Sequence, residues 1–425
     1  MSGKKQYLIE SLPGLLESPE FKQYAGYIKV SREQVGRLFF WLFESADSPD
    51  SDPLIIWMNG GPGASSMDGL FLEHGAFSIH EDPAGRALTL AKNPYSWNQF
   101  ANLLYLDQPV GTGLSQASQS GYAKDDDDVN IGFYEFLKGF FSVFPELAKR
   151  PFYLAGESFA GHYLLSMASH ILKQSRTKGD VPPLRGLLIG NGLFDPITQV
   201  LSAIDFTYAH GLISLSEKTK LKNKYSDLEG HDLVEENSII WDPVLYDILQ
   251  STLYNNEYYV NPYDIRQYVN TDSLSRPHEL IATYLARDDV KKATHTESRT
   301  DSWQGFSKDV YMNLRKCIGA PVVLLLPELL KEMRVLFYNG QYDIICNPIG
   351  TEEALKSLAW DGQEGFQEAA RSIWAFEGRP AGFCKSHGNL SYVVVLNAGH
   401  MVPMDVPAQA QDMVRKFIRN EKLVP

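Results

Sequence analysis

The 425-residue sequence predicts an α/β fold, with a mostly parallel central sheet and helices on both of its faces. Six short apolar runs each end in turn-forming residues and do not alternate in polarity, which is typical of strands buried on both faces. Amphipathic helical patterns lie between these runs, at 130–144 and 159–173. The six runs are PLIIWM, NLLYL, PFYLA, LRGLLI, RVLFY and YVVVL.

The other parts of the chain follow different patterns. At the start, YAGYIKV and GRLFFWLF predict a leading pair of antiparallel strands. The acidic run at 125–128 is interpreted as a solvated helix N-terminus, with a metal site as the alternative. From 199 to 317 the strand–turn rhythm stops, so we expect a mainly helical inserted cap; continuation of the sheet is the alternative. The predicted organisation is therefore a core of residues 1–198 and 318–425 with a cap at 199–317.

The composition argues against several classes of function. Asp and Glu outnumber Lys and Arg by 52 to 39, and an acidic chain without a basic cluster is a poor partner for nucleic acid or anionic membranes. No apolar run approaches the roughly 18 residues that a membrane span needs. The three cysteines are too few for a disulfide framework, and one must stay unpaired within the chain. We expect no cofactor and no metal, and the sequence does not indicate an oligomeric state.

The segment AGESFAGHY, at 155–163, predicts a nucleophile. An apolar strand precedes it and a helical pattern follows, so Ser158 would lie on a sharp turn at a helix N-terminus, where N–H groups stabilise negative charge. Ala160 stands where the motif Gly-x-Ser-x-Gly has its second glycine, and a purely structural turn is the alternative. Glu157 raises a question, because a negative charge beside a serine opposes deprotonation of its hydroxyl.

A serine nucleophile needs a base and an orienting acid, and two later strand ends supply them. Asp343 comes just after RVLFY, and His400 comes just after YVVVL. The chain order serine, acid, histidine is known for catalytic triads on α/β folds. The glycine-rich loop NGGPG follows an earlier strand, so we expect the backbone N–H groups of Gly61 and Phe159 to bind the oxyanion. A plain turn is the alternative for this loop.

Seven stretches, in order along the chain, resemble the serine carboxypeptidase family. They are WMNGGPGASSMDGLFLEHGAF, YLDQPVGTGLS, FPEL, LAGESFAGHY, IGNGLFDP, FYNGQYDIICN and NAGHMVPMDVP. They cover both ends of the predicted core, and only the predicted cap matches poorly. The resemblance implies an α/β-hydrolase fold and a triad of Ser158, Asp343 and His400 that forms an acyl-enzyme. It also implies that the substrate is the C-terminus of a peptide or protein, from which single residues are released.

The resemblance further implies how the substrate is held. Its terminal carboxylate would bind a cluster that maps onto Trp57, Asn59, Glu73 and Glu157. Two close carboxylates share a proton at low pH and can then donate hydrogen bonds to the substrate, which predicts tightest binding at acidic pH. The position of Glu157 beside the serine is explained if it faces the substrate carboxylate.

Specificity contacts also come from the resemblance. Family contacts to the leaving residue map onto Asp68, Leu72 and Met401, and those near the preceding residue onto Ile345 and Cys346. The basic-specific, prohormone-processing branch of the family shares Met-Asp at 67–68, so we expect a preference for C-terminal Lys or Arg; an Asp68 that faces solvent is the alternative. A reactive Cys346 thiol would confer sensitivity to mercurials, whereas a buried thiol would be inert.

The chain departs from the family in its cysteines. Many members have a cysteine where this chain has Ala64, so the disulfide that ties this loop to the cap is absent. Family members travel to the vacuole, the lysosome or outside the cell, but few cysteines and no signal-peptide pattern leave a cytoplasmic location open. The single sequon at Asn389 does not decide this question. Two other functions stay open: an acyltransferase of the same family, and a protective or binding partner protein.

Overall fold

The computed structural model describes residues 3–15, 17–30, 36–82, 87–118, 120–177, 179–228, 241–270 and 275–423. The strands are β1 (Gln23–Lys29), β2 (Gly36–Phe43), β3 (Leu54–Met58), β4 (Phe77–Glu81), β5 (Leu88–Lys92), β6 (Asn102–Asp107), β7 (Gln116–Ala117), β8 (Phe152–Ser158), β9 (Leu184–Gly192), β10 (Tyr259–Val260), β11 (Tyr268–Val269), β12 (Arg334–Gly340), β13 (Ser372–Phe376), β14 (Arg379–His387) and β15 (Leu390–Val395). The helices are α1 (Asp126–Val143), α2 (Ala160–Ser175), α3 (Pro196–Ala209), α4 (Leu215–Lys224), α5 (Trp241–Ser251), α6 (Ser275–Leu285), α7 (Asp288–Ala293), α8 (Lys308–Asn313), α9 (Leu326–Glu332), α10 (Pro348–Ser357), α11 (Gln363–Glu368), α12 (Val402–Asp405) and α13 (Pro407–Ile418).

The chain divides into two units, each formed by three segments. The first comprises Met1–Ala155, Met167–Gly186 and Leu274–Asn313. The second comprises Gly156–Ser166, Leu187–Ser273 and Leu314–Pro425. The predicted cap boundaries at 199 and 317 stay a prediction. The described residues between them are mainly helical, since they contain most of α3 and all of α4 to α8.

The sheet of the first unit has the strand order β1-β2-β6-β3. β1 and β2 form the antiparallel pair that the sequence predicts, β2 is also antiparallel to β6, and β3 is parallel to β6. Every residue of β3 and β6 is buried, which explains why these runs show no alternation of polarity. β4 and β5 form a separate antiparallel hairpin that the sequence analysis did not predict.

The second unit contains the strand order β9-β12-β15-β14-β13. β12 and β15 are parallel, and their carboxyl ends therefore lie at the same edge. β14 pairs antiparallel with both β13 and β15. Within this unit, α3, α4 and α5 bury an apolar cluster that includes Ile204, Ile248, Val260 and Ile344.

The helices follow the sequence patterns closely. α1 buries Phe133, Phe136, Leu137 and Phe140, at the three- and four-residue spacing of one helix face. Asp125 caps this helix by accepting a hydrogen bond from Asp128 N at 2.9 Å, and the acidic run forms the helix N-terminus as interpreted. Among the described helices, none is both long and apolar enough to cross a membrane.

Candidate active site

Ser158 is the last residue of β8, and its backbone is in the left-handed region with φ of 63°. Such a conformation costs a non-glycine residue about 1–3 kcal/mol and is concentrated at functional sites. α2 begins two residues later, at Ala160. A Cβ on Gly161 would lie 2.9 Å from Gly192 Cα, so the close approach of backbones requires glycine at 161. The essential glycine is therefore three residues after the serine, which accounts for Ala160 in the motif.

Asp343 and His400 form a buried pair at the ends of β12 and β15. His400 Nδ1 lies 2.8 Å from Asp343 Oδ2, and the two residues are 5% and 0% exposed. Because Nδ1 faces the carboxylate, it carries the proton of the neutral imidazole, and Nε2 is left as the basic nitrogen. The two strand-end residues that the sequence analysis selected are therefore in contact.

Three further donors hold the Asp343 carboxylate in place. Asn191 Nδ2 donates to Oδ2 at 2.8 Å, Cys346 N donates to Oδ2 at 3.1 Å, and Ile345 N donates to Oδ1 at 3.0 Å. Asn191 also accepts a hydrogen bond from Gly340 N at 3.0 Å, so it links the ends of β9 and β12. Asn191 lies in the IGNGLFDP stretch, and its place at a strand end is the only sequence signal for this role.

Tyr263 is a second residue that the sequence analysis missed. Its ring centroid lies 5.1 Å from that of His400, and its carbonyl accepts a hydrogen bond from His400 N at 2.7 Å. Tyr263 belongs to the Tyr- and Asn-rich stretch of the predicted cap. Sequence pattern alone does not show that this stretch contacts a loop more than a hundred residues later in the chain.

Cys346 is fully buried beside the Asp343–His400 pair. Burial raises the pKa of its thiol well above the usual value, and the charges of Asp343 and Glu157 raise it further. The thiol is therefore protonated, which favours the inert alternative over a reactive one. Of the described residues, Asp343, Cys346 and His400 have ligand atoms within 4.8 Å of one another, as a metal site requires. The hydrogen bond between Asp343 and His400 accounts for this cluster without a metal.

In the first unit, Trp57 fixes the side chain of Asn59. Trp57 Nε1 donates to Asn59 Oδ1 at 2.7 Å, and Gly69 N donates to the same oxygen at 3.2 Å. A Cβ on Gly69 would lie 2.2 Å from Trp57 Nε1, so only glycine permits this contact. These two donors to one oxygen fix the orientation of the Asn59 amide.

Asp107 holds the segment that follows the NGGPG loop. Its carboxylate accepts from Ser65 Oγ at 2.8 Å, from Ser66 N at 2.7 Å and from Leu114 N at 2.6 Å. Ser66 Oγ in turn accepts from Asn59 N at 3.1 Å. Complete burial raises the pKa of Asp107 to about 6, against the lowering effect of these donors.

Hydrogen bonds join the loop around Ala64 to residues 303–307. Ser65 N donates to Gly305 O at 2.8 Å, and Ser307 N donates to Gly63 O at 2.9 Å. Trp303 Nε1 adds a hydrogen bond to Ser65 Oγ at 2.9 Å. No disulfide joins any of the three cysteines, all of which lie in the described ranges.

Asp68 is buried rather than facing solvent. His278 Nε2, on α6 of the same unit, lies 3.1 Å from Asp68 Oδ2. Leu72 and Glu73 follow in a π-helical turn, Gly69–Glu73, in which Leu72 is half-buried and Glu73 is buried. Burial raises the pKa of Tyr105 well above its usual value, and the nearby charge of Glu73 adds to the effect.

The predicted site residues are divided between the two units. Glu157, Phe159, Ile345 and Met401 belong to the second unit. Glu157, Phe159 and Met401 are buried, and Ile345 is half-buried. Trp57, Asn59, Gly61, Asp68, Leu72 and Glu73 belong to the first unit. The pairing of Glu73 with Glu157, and the shared oxyanion hole of Gly61 and Phe159, therefore stay predictions.

Comparisons with known proteins agree with the geometry. The family model for serine carboxypeptidases matches residues 13–420. The pheromone-processing carboxypeptidase KEX1 of Tuber melanosporum is 37% identical over 435 residues, which covers 97% of this chain and 68% of that protein. The corresponding protein of Aspergillus oryzae is 38% identical over 434 residues, with the same coverage.

A solved structure extends the similarity to the fold. The crystal structure of KEX1(Δ)P, a prohormone-processing carboxypeptidase from Saccharomyces cerevisiae, superposes with a TM-score of 0.89 at 29% identity and covers 99% of this chain and 97% of that one. The predicted α/β-hydrolase fold is thereby confirmed, as is the predicted activity of a serine carboxypeptidase that acts at acidic pH. The chain belongs to the serine carboxypeptidase family.

Proposed function

We propose that Ser158, His400 and Asp343 are the nucleophile, base and orienting acid of this carboxypeptidase, and that it prefers peptides ending in Lys or Arg. The observation that supports the assignment best is the 2.8 Å contact between His400 and Asp343 in the same unit as a serine with φ of 63°. A strained serine turn and a buried histidine–carboxylate pair are the parts that acyl transfer to a serine requires.

The reaction proceeds through an acyl-enzyme. Ser158 Oγ attacks the carbonyl carbon of the last peptide bond while His400 Nε2 takes the hydroxyl proton. The N–H groups of Gly61 and Phe159 donate to the resulting oxyanion. When the C–N bond breaks, His400 gives its proton to the amine of the leaving amino acid. Water, activated by the same nitrogen, then hydrolyses the ester on Ser158.

The free carboxylate of the substrate is held by donors rather than by a cation. The NH2 group of Asn59, whose oxygen is engaged by Trp57 and Gly69, donates one hydrogen bond. Glu73 and Glu157 supply another when they share a proton, and they repel the substrate when both are ionised. This requirement for a proton accounts for activity at acidic pH.

The preference for a basic leaving residue rests on Asp68. Its carboxylate is buried, and relatives of the chain are named pheromone- and prohormone-processing carboxypeptidases. A carboxylate at this position favours a cationic leaving side chain over an apolar one by charge complementarity, in addition to its 3.1 Å contact with His278 Nε2. We accordingly propose peptide precursors with C-terminal Lys or Arg as substrates.

The proposal is tested by replacing the nucleophile. Ser158→Ala is expected to lower kcat on a peptide ending in Lys by on the order of 10⁴-fold or more. Ser226→Ala, which changes an exposed serine of the same unit, is the matched control and should retain full activity. Retention of more than a tenth of the activity in Ser158→Ala would refute the assignment. Transfer of an acyl group from a sugar ester, with no release of amino acids, would indicate the acyltransferase alternative.

A further inference from the structure

The 262–267 segment of the predicted cap is hydrogen-bonded to the loop that carries Asp343. Ile344 N donates to Pro262 O at 3.0 Å, and Ile265 N donates to Tyr342 O at 3.0 Å. These two bonds flank Asp343 on both sides in the chain. Ile344 and the partly buried Ile265 also belong to the apolar cluster of α3, α4 and α5, so the contact is packed as well as hydrogen-bonded.

The same segment is hydrogen-bonded to the loop that carries His400. Tyr263 O accepts from His400 N at 2.7 Å. The two loops are also joined directly, because Tyr342 N donates to Ala398 O at 2.8 Å. The 262–267 segment, the Asp343 loop and the His400 loop therefore form one hydrogen-bonded assembly within the second unit.

Arg266 is the side chain that connects this assembly. Its Nε and Nη2 donate to the two carboxylate oxygens of Asp264, at 2.8 and 2.7 Å. Its Nη1 donates to Asn397 O at 2.9 Å, and Nη2 also lies 3.1 Å from Asp405 Oδ2. Its guanidinium lies over the Tyr342 ring, 5.0 Å from the centroid. One planar group thus contacts all three parts of the assembly.

Asp405 links Arg266 to Gly399, the residue before His400. Its Oδ2 accepts from Gly399 N at 2.7 Å and contacts Arg266 through the same oxygen. The His400 loop is therefore held by Arg266 at Asn397, through Asp405 at Gly399, and by Tyr263 at His400 itself.

We propose that Arg266 is a positioning residue that holds His400 in line with Asp343, and through them makes catalysis depend on the 262–267 segment of the cap. The inference rests on the proposed triad but adds to it a residue outside the core. Arg266 acts through the loops and touches no reacting atom. Its loss should therefore slow proton transfer and leave the binding of the substrate carboxylate largely unchanged, because the contacts described above join Arg266 to the two loops and not to the proposed carboxylate cluster.

Arg287 provides a matched control. Its Nε and Nη2 donate to both carboxylate oxygens of Asp289, two residues away in the chain, as Arg266 does with Asp264. It also lies over an aromatic ring, that of Tyr284, and donates weakly to Leu88 O. Arg287 lies in the first unit, whereas the proposed triad lies in the second.

The experiment compares Arg266→Ala, Arg266→Lys and Arg287→Ala with the wild type. For each variant, kcat and KM are measured on a peptide ending in Lys, together with the rate of inactivation by diisopropyl fluorophosphate and the Tm. For Arg266→Ala we expect kcat and the inactivation rate to fall in parallel, between roughly 10- and 100-fold, since small misplacements of catalytic groups have effects of this size. KM should stay within about twofold, because slower chemistry brings KM to the dissociation constant of the substrate, which this change leaves unaltered.

The variants with conservative and control changes decide the interpretation. Arg266→Lys keeps the charge but not the planar fork, so it should recover only part of kcat. Arg287→Ala should keep kcat and the inactivation rate within about twofold of the wild type. If Arg266→Ala does not fold, folded Arg266→Lys with wild-type kcat overturns the inference.

Two other results overturn it: a folded Arg266→Ala with wild-type kcat and inactivation rate, or equal losses in Arg287→Ala. The outcome is separate from that of the triad. If Ser158→Ala is inactive while Arg266→Ala is fully active, only the positioning role fails. If Ser158→Ala stays active, the triad assignment fails.

Discussion

Asp343 accepts a hydrogen bond from His400 Nδ1 at 2.8 Å while it has no exposed surface of its own. Asn191 Nδ2 and Cys346 N donate to the same oxygen, Oδ2, which receives the histidine. This oxygen is therefore an acceptor only, and the histidine is held in the tautomer that leaves Nε2 basic. Asp343 can therefore orient His400, but a hydrogen-bond donor at the position of its Oδ2 would not fit these three partners.

Asp343→Asn tests this arrangement. An amide NH2 at the Oδ2 position would meet three donors, so either the side chain flips or the histidine adopts the other tautomer. We expect kcat to fall by roughly 10⁴-fold with little change in KM, as occurs when a triad histidine loses its correct tautomer. Steady-state kinetics with a thermal-unfolding control measures the effect. A variant that keeps kcat within tenfold would rule out an orienting role for Asp343.

The proposed sharing of a proton between Glu73 and Glu157 predicts a specific pH dependence of substrate binding. In the wild type, apparent KM should rise with pH above the pKa of the pair, by up to about tenfold per pH unit. In the double variant Glu157→Gln, Glu73→Gln the amides stay neutral donors, so this rise should be abolished. Glu328→Gln, an exposed change, is the control. If the double variant kept the full wild-type pH dependence of KM, the carboxylate cluster would be wrongly assigned.

Asp68 should set the preference for the leaving residue. Asp68→Ala is expected to lower kcat/KM for peptides ending in Lys or Arg relative to Leu by about tenfold, the equivalent of about 1.4 kcal/mol. The measurement is the release of Lys, Arg, Leu and Phe from otherwise identical peptides. Asp50→Ala, which removes a fully exposed carboxylate, should leave the ranking unchanged. An unchanged ranking in Asp68→Ala would remove the basis for basic specificity.

The raised pKa of Asp107 predicts that its contribution to the free energy of unfolding depends on pH. Burial raises its folded pKa from 3.8 to about 6, so its contribution is fully present below pH 3.8 and is lost as the pH rises through 6. At about 1.4 kcal/mol per pKa unit, ionisation costs the folded state on the order of 3 kcal/mol. The free energy of unfolding of the wild type, relative to Asp107→Asn, should therefore fall between pH 4 and 6.5. A difference that stays constant over this range would contradict the raised pKa.

Local patterns explain what the sequence could predict. Asp343 and His400 were identifiable because each follows an apolar run, and parallel strands bring their carboxyl ends to one edge. Strands β3, β6, β8, β9, β12 and β15 were recognisable for the same reason. β4, β5, β13 and β14 were not, because partly exposed antiparallel strands lack continuous apolar runs.

Contacts between distant parts of the chain could not be predicted from the sequence. Arg266 contacts Asn397 and Asp405, and Asn191 contacts Asp343, across more than a hundred residues that no periodicity connects. The alanine at 160, where the motif usually has a glycine, also could not be explained from the sequence. Only the packing of Gly161 against Gly192 shows which glycine the turn needs. The sequence predicted that Asp343 and His400 lie together, and the structure adds the residues that hold them.

The central claim is that the enzyme recognises a free C-terminal carboxylate and removes the residue that bears it. It is tested most directly by timed release of amino acids at acidic pH from two peptides of one sequence ending in Lys, one with a free carboxylate and one amidated. We expect single residues to appear in order from the C-terminus of the free acid. Release from the amide should be at least about 100-fold slower, since a carboxylate site rejects a ligand that leaves its polar groups unpaired. Equal rates on the two peptides, or release of internal fragments, would contradict the account.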